Sequence, residues 1–183
     1  MKISECDILI LPGLGNSSPG HWQLRWAERM ATAAIVEQAD WHEPDPDDWV
    51  ETIDQACRLT TRPVVLVAHS LSCTAVAHAA PRLPDNVRGA FLVAPADIEL
   101  SPSVPPEVYP FRPIPRDPLP FPSMVVASSN DPYVSIDRAV EFANCWGSDF
   151  HQAGEAGHIN VASGHGPWPE GLLMFTRLMQ RLK

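Results

Sequence analysis

Short apolar runs alternate along the chain with longer stretches in which apolar residues recur at helical spacing. This alternation limits the fold more than any other feature. The apolar runs that predict strands are residues 7–11, 34–38, 63–68, 87–94, 123–128 and 149–152. The stretches that predict helices are residues 22–31, 47–59, 71–80, 136–146 and 170–182. Strands that alternate with helices favour an α/β fold, in which helices cover both faces of a mostly parallel sheet.

The length of the chain and a proline-rich segment predict the domain organisation. The 183 residues suit one domain, 1–183, without internal repeats or a linker. Residues 97–122 contain nine of the twenty prolines, which block both helix interiors and sheet ladders. Two interpretations of this segment stay open. It is either a surface loop packed on the domain through Tyr109, Phe111 and Phe121, or a minimal lid over a site.

Composition excludes several classes of function. The net charge is −9 and no Lys/Arg cluster is present, so nucleic-acid binding is disfavoured. No apolar run approaches the roughly 18 residues that span a bilayer. The first residues also lack the pattern of a signal peptide, so we expect a cytoplasmic protein that does not bind membranes. Four scattered cysteines argue against a zinc site or a disulfide framework, and we expect no metal: Cys6, Cys57, Cys73 and Cys145.

Ser70 follows the apolar run 63–68 in the stretch VVLVAHSLSC. Ligands of open parallel sheets bind at the carboxyl ends of the strands, where this serine would lie. A sharp strand-to-helix elbow would expose its hydroxyl and point the N–H of Leu71 at an oxyanion. Such an elbow needs small residues two positions before and after the serine, and Ala68 and Ser72 are small. The alternative is a serine that only caps the following helix.

Two further polar residues follow predicted strands in the order that an elbow fold requires. Asp131 stands after the fifth predicted strand in SSNDPYV, and His158 after the sixth in GEAGHIN. In a triad, His158 would take the hydroxyl proton of Ser70, and Asp131 would orient the imidazole. Alternatives stay open, since Asp97 would also follow a strand and His165 would also lie in a loop.

The loop after the first predicted strand, LPGLGNSSPGHW, is the expected source of a second oxyanion donor. Its glycines allow close backbone approach, and the N–H of Leu14 is our candidate. The loop matches neither GxGxxG nor a phosphate loop with lysine, so no cofactor is expected. Trp22 and Trp168 adjoin site loops and are candidate substrate-pocket residues, although an indole on a helix more often packs in the core.

Four motifs together resemble one family: LPGLGNSSPGHWQLRW, VAHSLSCTAVAHAA, PLPFPSMVVASSNDPYVS and GHINVASGHGPWPEG. They are similar to the small serine hydrolases of the retinoblastoma-binding-protein-nine type and their YdeN-like bacterial relatives. The resemblance implies a compact α/β-hydrolase fold with six parallel strands in the order 2-1-3-4-5-6. It also implies a Ser70–Asp131–His158 triad and a proline-rich loop in place of a cap domain. The sequence departs from the family at Ser72, where a glycine is usual.

Two functions are compatible with these residues. The first is a serine hydrolase that cleaves small ester, thioester or activated amide substrates through an acyl-enzyme, without metal or cofactor. The second is a protein-binding module on the same fold, with weak or vestigial catalysis and a partner protein, because fold does not fix function. The presence of all three triad residues favours the first.

Overall fold

Six parallel strands form the central sheet in the computed structural model, which describes residues 1–182 of the chain. The strands are β1 (Asp7–Leu11), β2 (Ala33–Ile35), β3 (Val64–His69), β4 (Val87–Val93), β5 (Ser123–Ala127) and β6 (Asp149–Gln152). Their order is β2-β1-β3-β4-β5-β6, and every neighbouring pair is parallel. The predicted α/β class and strand order are therefore confirmed.

Residues 1–182 contain five α-helices: α1 (Trp22–Arg29), α2 (Pro46–Arg58), α3 (Leu71–Ala79), α4 (Ile136–Trp146) and α5 (Pro169–Arg181). The first four connect strands, and α5 follows β6. Short 3-10 helices occupy Ile3–Glu5, Ala80–Arg82, Pro106–Phe111 and Val161–Ser163. Helix α2 begins one residue earlier than predicted because the Asp45 carboxylate accepts the N–H groups of Asp47 and Asp48. None of the helices in the described part of the chain is long and apolar enough to cross a bilayer.

Strand β2 is shorter than its prediction, residues 34–38. It lies at the edge of the sheet and pairs only with β1, through the register Ile8↔Ala33 to Ile10↔Ile35. The partner strand ends at Leu11, so Glu37 and Gln38 have no strand to pair with.

The sheet is buried on both faces by separate layers of helices. Helices α2, α3 and α4 cover one face, and α1 and α5 cover the other. Alternate residues of β3 enter opposite cores: Val64, Leu66 and Ala68 on the first face, Val65 and Val67 on the second. This two-sided burial is why β3 has no polar residue before its end, and it brings Ser70 to the carboxyl edge of the sheet.

The proline-rich segment 97–122 packs on the domain with one 3-10 helix, Pro106–Phe111. Phe111 and Phe121 are buried as expected. The surface-loop interpretation also placed Tyr109 against the domain, and here the structure differs. Tyr109 is 41% exposed, and the Arg112 guanidinium stacks over its ring at 3.6 Å. Tyr109 therefore faces solvent and does not hold the segment to the core.

Ion pairs tie the start of this segment to α4. The Arg138 guanidinium donates to both carboxylate oxygens of buried Asp97, at 2.8 and 3.1 Å, and to Glu99 at 2.7 Å. Arg116 donates to Glu99 and Glu141, and Arg138 also contacts Glu141. The buried Asp97 carboxylate is thus paired with a cation, as a buried charge requires.

Candidate active site

Ser70 lies on a sharp turn between β3 and α3. Its φ of 56° and ψ of −124° place a non-glycine residue in a conformation that L residues rarely adopt. Although Ser70 is at the N-cap position of α3, its side chain makes no capping hydrogen bond. The hydroxyl Oγ lies 2.9 Å from Nε2 of His158. The structure therefore excludes the helix-cap interpretation of this side chain.

Small residues surround the turn at three positions. Ala68 and Ser72 are fully buried, and the Ser72 hydroxyl donates to the carbonyl of Pro12 in the β1–α1 loop. A Cβ at Gly13 would lie 2.8 Å from Cβ of Ser70 and 3.0 Å from the carbonyl oxygen of His69. Serine thus replaces the usual glycine at 72 and links the elbow to the neighbouring loop. At this turn, close contact with Ser70 and His69 requires a glycine at position 13.

His158 bridges Ser70 and Asp131. Its Nδ1 lies 3.0 and 2.8 Å from the two carboxylate oxygens of Asp131, and both side chains are buried. Asp131 Oδ1 also accepts the N–H of Tyr133 at 2.9 Å, which fixes the carboxylate. The hydrogen bonds therefore continue from Asp131 through the imidazole to the Ser70 hydroxyl.

The loop that carries His158 is held from below and from the side. His69 Nε2 lies 2.9 Å from the carbonyl oxygen of His158, so His69 supports the loop and not the Ser70 hydroxyl. Burial lowers the pKa of His69 well below its ordinary value, and the His158 and His21 charges act in the same direction. His69 is therefore neutral and donates Nε2–H to that carbonyl. Gly157 has φ +57°, and a Cβ there would meet Cβ of Ser163 at 2.6 Å.

The alternative acid and base lie elsewhere. Asp97 is bound by Arg138, as described above, and His165 is hydrogen-bonded through Nδ1 to Ser163 Oγ at 3.1 Å. Cys73, three residues after Ser70, is fully buried, and burial raises the pKa of its thiol. That thiol is therefore protonated and unsuited to nucleophilic attack.

The backbone N–H groups of Leu14 and Leu71 belong to residues that line the same cavity as Ser70. Leu71 is the first residue of α3, where N–H groups lack intrahelical partners. Neither N–H has a hydrogen-bond acceptor within residues 1–182. Both are therefore free to donate to a bound oxygen.

The cavity beside Ser70 has a volume of about 290 Å³. It is lined by Gly13, Leu14, Asn16, Ser18, His21, His69, Ser70, Leu71, Ala96, Val104, Pro105, Val108, Tyr133, His158, Asn160, Val161 and Ala162. No Lys, Arg, Asp or Glu is among these residues. The space therefore fits a small uncharged molecule better than a charged one. In the described chain, no group of three or more His, Cys, Asp or Glu side chains is arranged to hold a metal ion.

The prediction that Trp22 and Trp168 are substrate-pocket residues was wrong, because neither lines this cavity. Both are buried, with ring centroids 5.0 Å apart, in the core under α1 and α5. Trp22 Nε1 donates to the carbonyl of Ile159 at 2.9 Å and so supports the loop of His158 from inside. The positions of these two residues next to site loops in the sequence gave no sign that both indoles point into the core.

The cavity wall includes a residue that the sequence did not single out, His21. This residue is only 3% exposed, and its Nδ1 accepts the N–H of Gln23 at 3.2 Å. Burial, together with the His158 and His165 charges, lowers its pKa to about 4. The signal available in the sequence was its place, immediately before the helix after the glycine-containing loop.

Comparison with known proteins assigns the family. A family model described as serine hydrolase matches residues 8–177. The chain belongs to this serine hydrolase family. This serine hydrolase is 33% identical to a YdeN-like hydrolase from Pectobacterium atrosepticum, over 97% of this chain and 93% of that chain, with a TM-score of 0.85. The predicted resemblance to a small α/β-hydrolase family with YdeN-like relatives is therefore confirmed.

More distant structures share the fold. The ydeN gene product of B. subtilis is 20% identical, with 96% of this chain and 100% of that chain covered and a TM-score of 0.78. Est1E from Butyrivibrio proteoclasticus is 12% identical, with 97% and 90% covered and a TM-score of 0.68. At these identities the likeness concerns the α/β-hydrolase fold alone. The comparison with curated proteins gave no match.

Proposed function

We propose that this serine hydrolase cleaves small, uncharged esters, thioesters or activated amides through an acyl-enzyme on a Ser70–His158–Asp131 triad. The observation that carries the proposal is the hydrogen-bond chain from Asp131 through His158 to Ser70, which ends at the strained elbow in the cavity wall. A serine hydroxyl needs an adjacent base to become a nucleophile, and His158 Nε2 at 2.9 Å is that base.

In the first half of the reaction, Ser70 Oγ attacks the carbonyl carbon while its proton passes to His158 Nε2. The Asp131 carboxylate holds Nδ1–H and stabilises the imidazolium that forms. The carbonyl oxygen, now an oxyanion, accepts the N–H groups of Leu71 and Leu14. The C–O, C–S or C–N bond then breaks, and the leaving group takes the proton from His158.

In the second half, water replaces the leaving group. His158 takes a proton from the water as it attacks the acyl carbon, and the proton returns to Ser70 Oγ as the acid leaves. Hydrogen-bond donors that are fixed before the reaction stabilise the oxyanion at both stages, and losing one such donor costs about 10²–10³ in rate.

The cavity limits the substrate. Its volume of about 290 Å³ and its uncharged lining favour short, neutral acyl esters. Val104, Pro105 and Val108 of the proline-rich segment form an apolar part of the wall. Because ion pairs fasten the start of this segment to α4, we propose that it acts as a fixed wall and not as a separate cap.

Rapid mixing with p-nitrophenyl acetate tests the acyl-enzyme. We expect a burst of p-nitrophenol close to one equivalent per chain, followed by a slower steady rate. Ser70→Ala should abolish both phases. Ser103→Ala is the matched control, because Ser103 is exposed and outside the cavity wall, and it should keep the burst. A folded wild type without ester turnover would instead favour the protein-binding alternative.

A further inference from the structure

The ring of His21 is held rigidly in the cavity wall. It occupies the N-cap position of α1 and packs against Trp22 and His69, with ring centroids 5.4 and 5.0 Å away. Its side chain accepts the N–H of Gln23, so two neighbouring rings and one hydrogen bond hold the imidazole in place. A group fixed in this way loses little entropy when it binds a ligand.

The hydrogen bond from Gln23 also decides where the His21 proton lies. A backbone N–H can only donate, so Nδ1 of His21 is the unprotonated acceptor. Burial and the His158 and His165 charges lower the pKa of His21 to about 4, and the positive end of α1 acts in the same direction. The ring is therefore neutral near pH 7 and carries its single proton on Nε2.

The Nε2–H of His21 is a donor without a partner in residues 1–182. It makes no hydrogen bond there. Among the described residues, the fully buried side-chain N and O atoms without a hydrogen-bond partner do not include this nitrogen, so Nε2 is not fully buried. His21 lines the cavity beside Asn16 and Ser18 of the same loop, so this wall is polar while the wall formed by Val104 and Val108 is apolar. A substrate that displaced water without replacing its hydrogen bond would leave the donor unsatisfied.

We propose that His21 is a specificity-determining residue, which donates Nε2–H to a second oxygen of an uncharged ester, outside the scissile carboxyl group. That oxygen is an ether, hydroxyl or carbonyl oxygen carried on the acyl or the alcohol side. A site built to donate a hydrogen bond discriminates strongly against analogues that lack the acceptor. The inference rests on the proposed function, because it assumes that the cavity binds the ester.

Matched ester pairs test this selection. On the acyl side, p-nitrophenyl methoxyacetate differs from p-nitrophenyl butanoate by an oxygen in place of a methylene. On the alcohol side, 2-methoxyethyl acetate differs from n-butyl acetate in the same way. The ratio of kcat/KM within each pair, divided by the ratio of alkaline hydrolysis rates, removes the difference in intrinsic reactivity.

Two substitutions separate the two nitrogens of the ring. His21→Asn retains an acceptor near the position of Nδ1 and loses the donor, whereas His21→Gln retains a donor near Nε2 and loses the cap. We expect His21→Asn to lower the normalised preference for the ether in at least one pair by about threefold to tenfold. His21→Gln should keep more of that preference but have the lower Tm, because the cap is lost.

This crossed pattern distinguishes selection from a structural role, in which selectivity would change together with Tm. His151→Asn, on edge strand β6 and outside the cavity wall, is the control that should leave both quantities unchanged. An unchanged preference in both pairs for an active His21→Asn protein overturns the inference alone. Ester hydrolysis that persists in the Ser70→Ala protein overturns the proposed function, and this inference falls with it.

Discussion

Gly13→Ala tests the contact between the β1–α1 loop and the elbow. The added Cβ would lie 2.8 Å from Cβ of Ser70 and 3.0 Å from the carbonyl oxygen of His69. Nonbonded carbon atoms prefer separations of about 3.5–4.0 Å, so the loop or the elbow must move by roughly 0.5–1 Å. Neither neighbour is the end of a flexible side chain, so the displacement falls on the backbone.

That displacement reaches the proposed chemistry directly, because Leu14 is the next residue and is the proposed source of one oxyanion N–H. A misplacement of about 1 Å can cost about 10²-fold in rate. We therefore expect Gly13→Ala to lower kcat/KM for p-nitrophenyl acetate by about 10²-fold, mainly through kcat. Overpacking should also lower the free energy of unfolding by about 1–3 kcal/mol.

The assay is steady-state hydrolysis together with urea unfolding. Gly147→Ala is the matched control, because Gly147 has φ +65°, no atom would lie within 4 Å of its Cβ, and it follows α4 away from the cavity. It should lose about 1–2 kcal/mol from backbone strain and keep the wild-type kcat/KM. A folded Gly13→Ala protein with wild-type kcat/KM would refute the reasoning about this contact.

Three further outcomes are expected. Asp131→Asn should lower kcat by about 10⁴-fold with little change in KM, because the imidazole loses its orienting carboxylate. In acid unfolding, His21 has a folded pKa of about 4 against an ordinary value of 6.5, so the unfolded chain takes the proton first. Stability should therefore fall as the pH drops from 6.5 to 4, by up to about 3 kcal/mol from this residue, and His21→Asn should remove that part of the slope. Arg138→Met should lower the free energy of unfolding in urea by about 3 kcal/mol, because it leaves the Asp97 carboxylate buried without its cation; an unchanged midpoint would contradict this.

The fold was predictable from the sequence because each signal was local. Apolar runs such as β3 are buried on both faces of the sheet, and this leaves a short, continuously apolar pattern in the sequence. The order Ser70, Asp131, His158 was predictable for a related reason, since each residue follows a strand and parallel strands end at one edge of the sheet. The structure brings their side chains into hydrogen-bond contact.

The parts that were not predicted depend on contacts between distant segments. Trp22 and Trp168 adjoin site loops in the sequence, but helix rotation turns both indoles into the core. The same rotation leaves His21, the preceding residue, in the cavity wall. Gly13 has an ordinary backbone conformation, and only its approach to Ser70 across the sheet reveals why a side chain would not fit.

The first and last residues of the strands and helices were also less predictable than the presence of these elements. Strand β2 ends earlier than the predicted residues 34–38, because at the edge of the sheet its last predicted residues have no strand to pair with. Proline content could not decide how segment 97–122 packs, since Phe111 and Tyr109 are both aromatic and only the first is buried. Those outcomes depend on which surface the chain meets, which composition does not encode.

Labelling with a fluorophosphonate probe tests the central claim most directly, because an activated serine displaces fluoride from the probe and becomes phosphonylated, which gives one mass increment. We predict one label per chain, located on the peptide that contains Ser70. The label should be absent in Ser70→Ala and form far more slowly in His158→Ala. A label on another residue, a label that survives Ser70→Ala, or no label on the folded wild type would contradict the account.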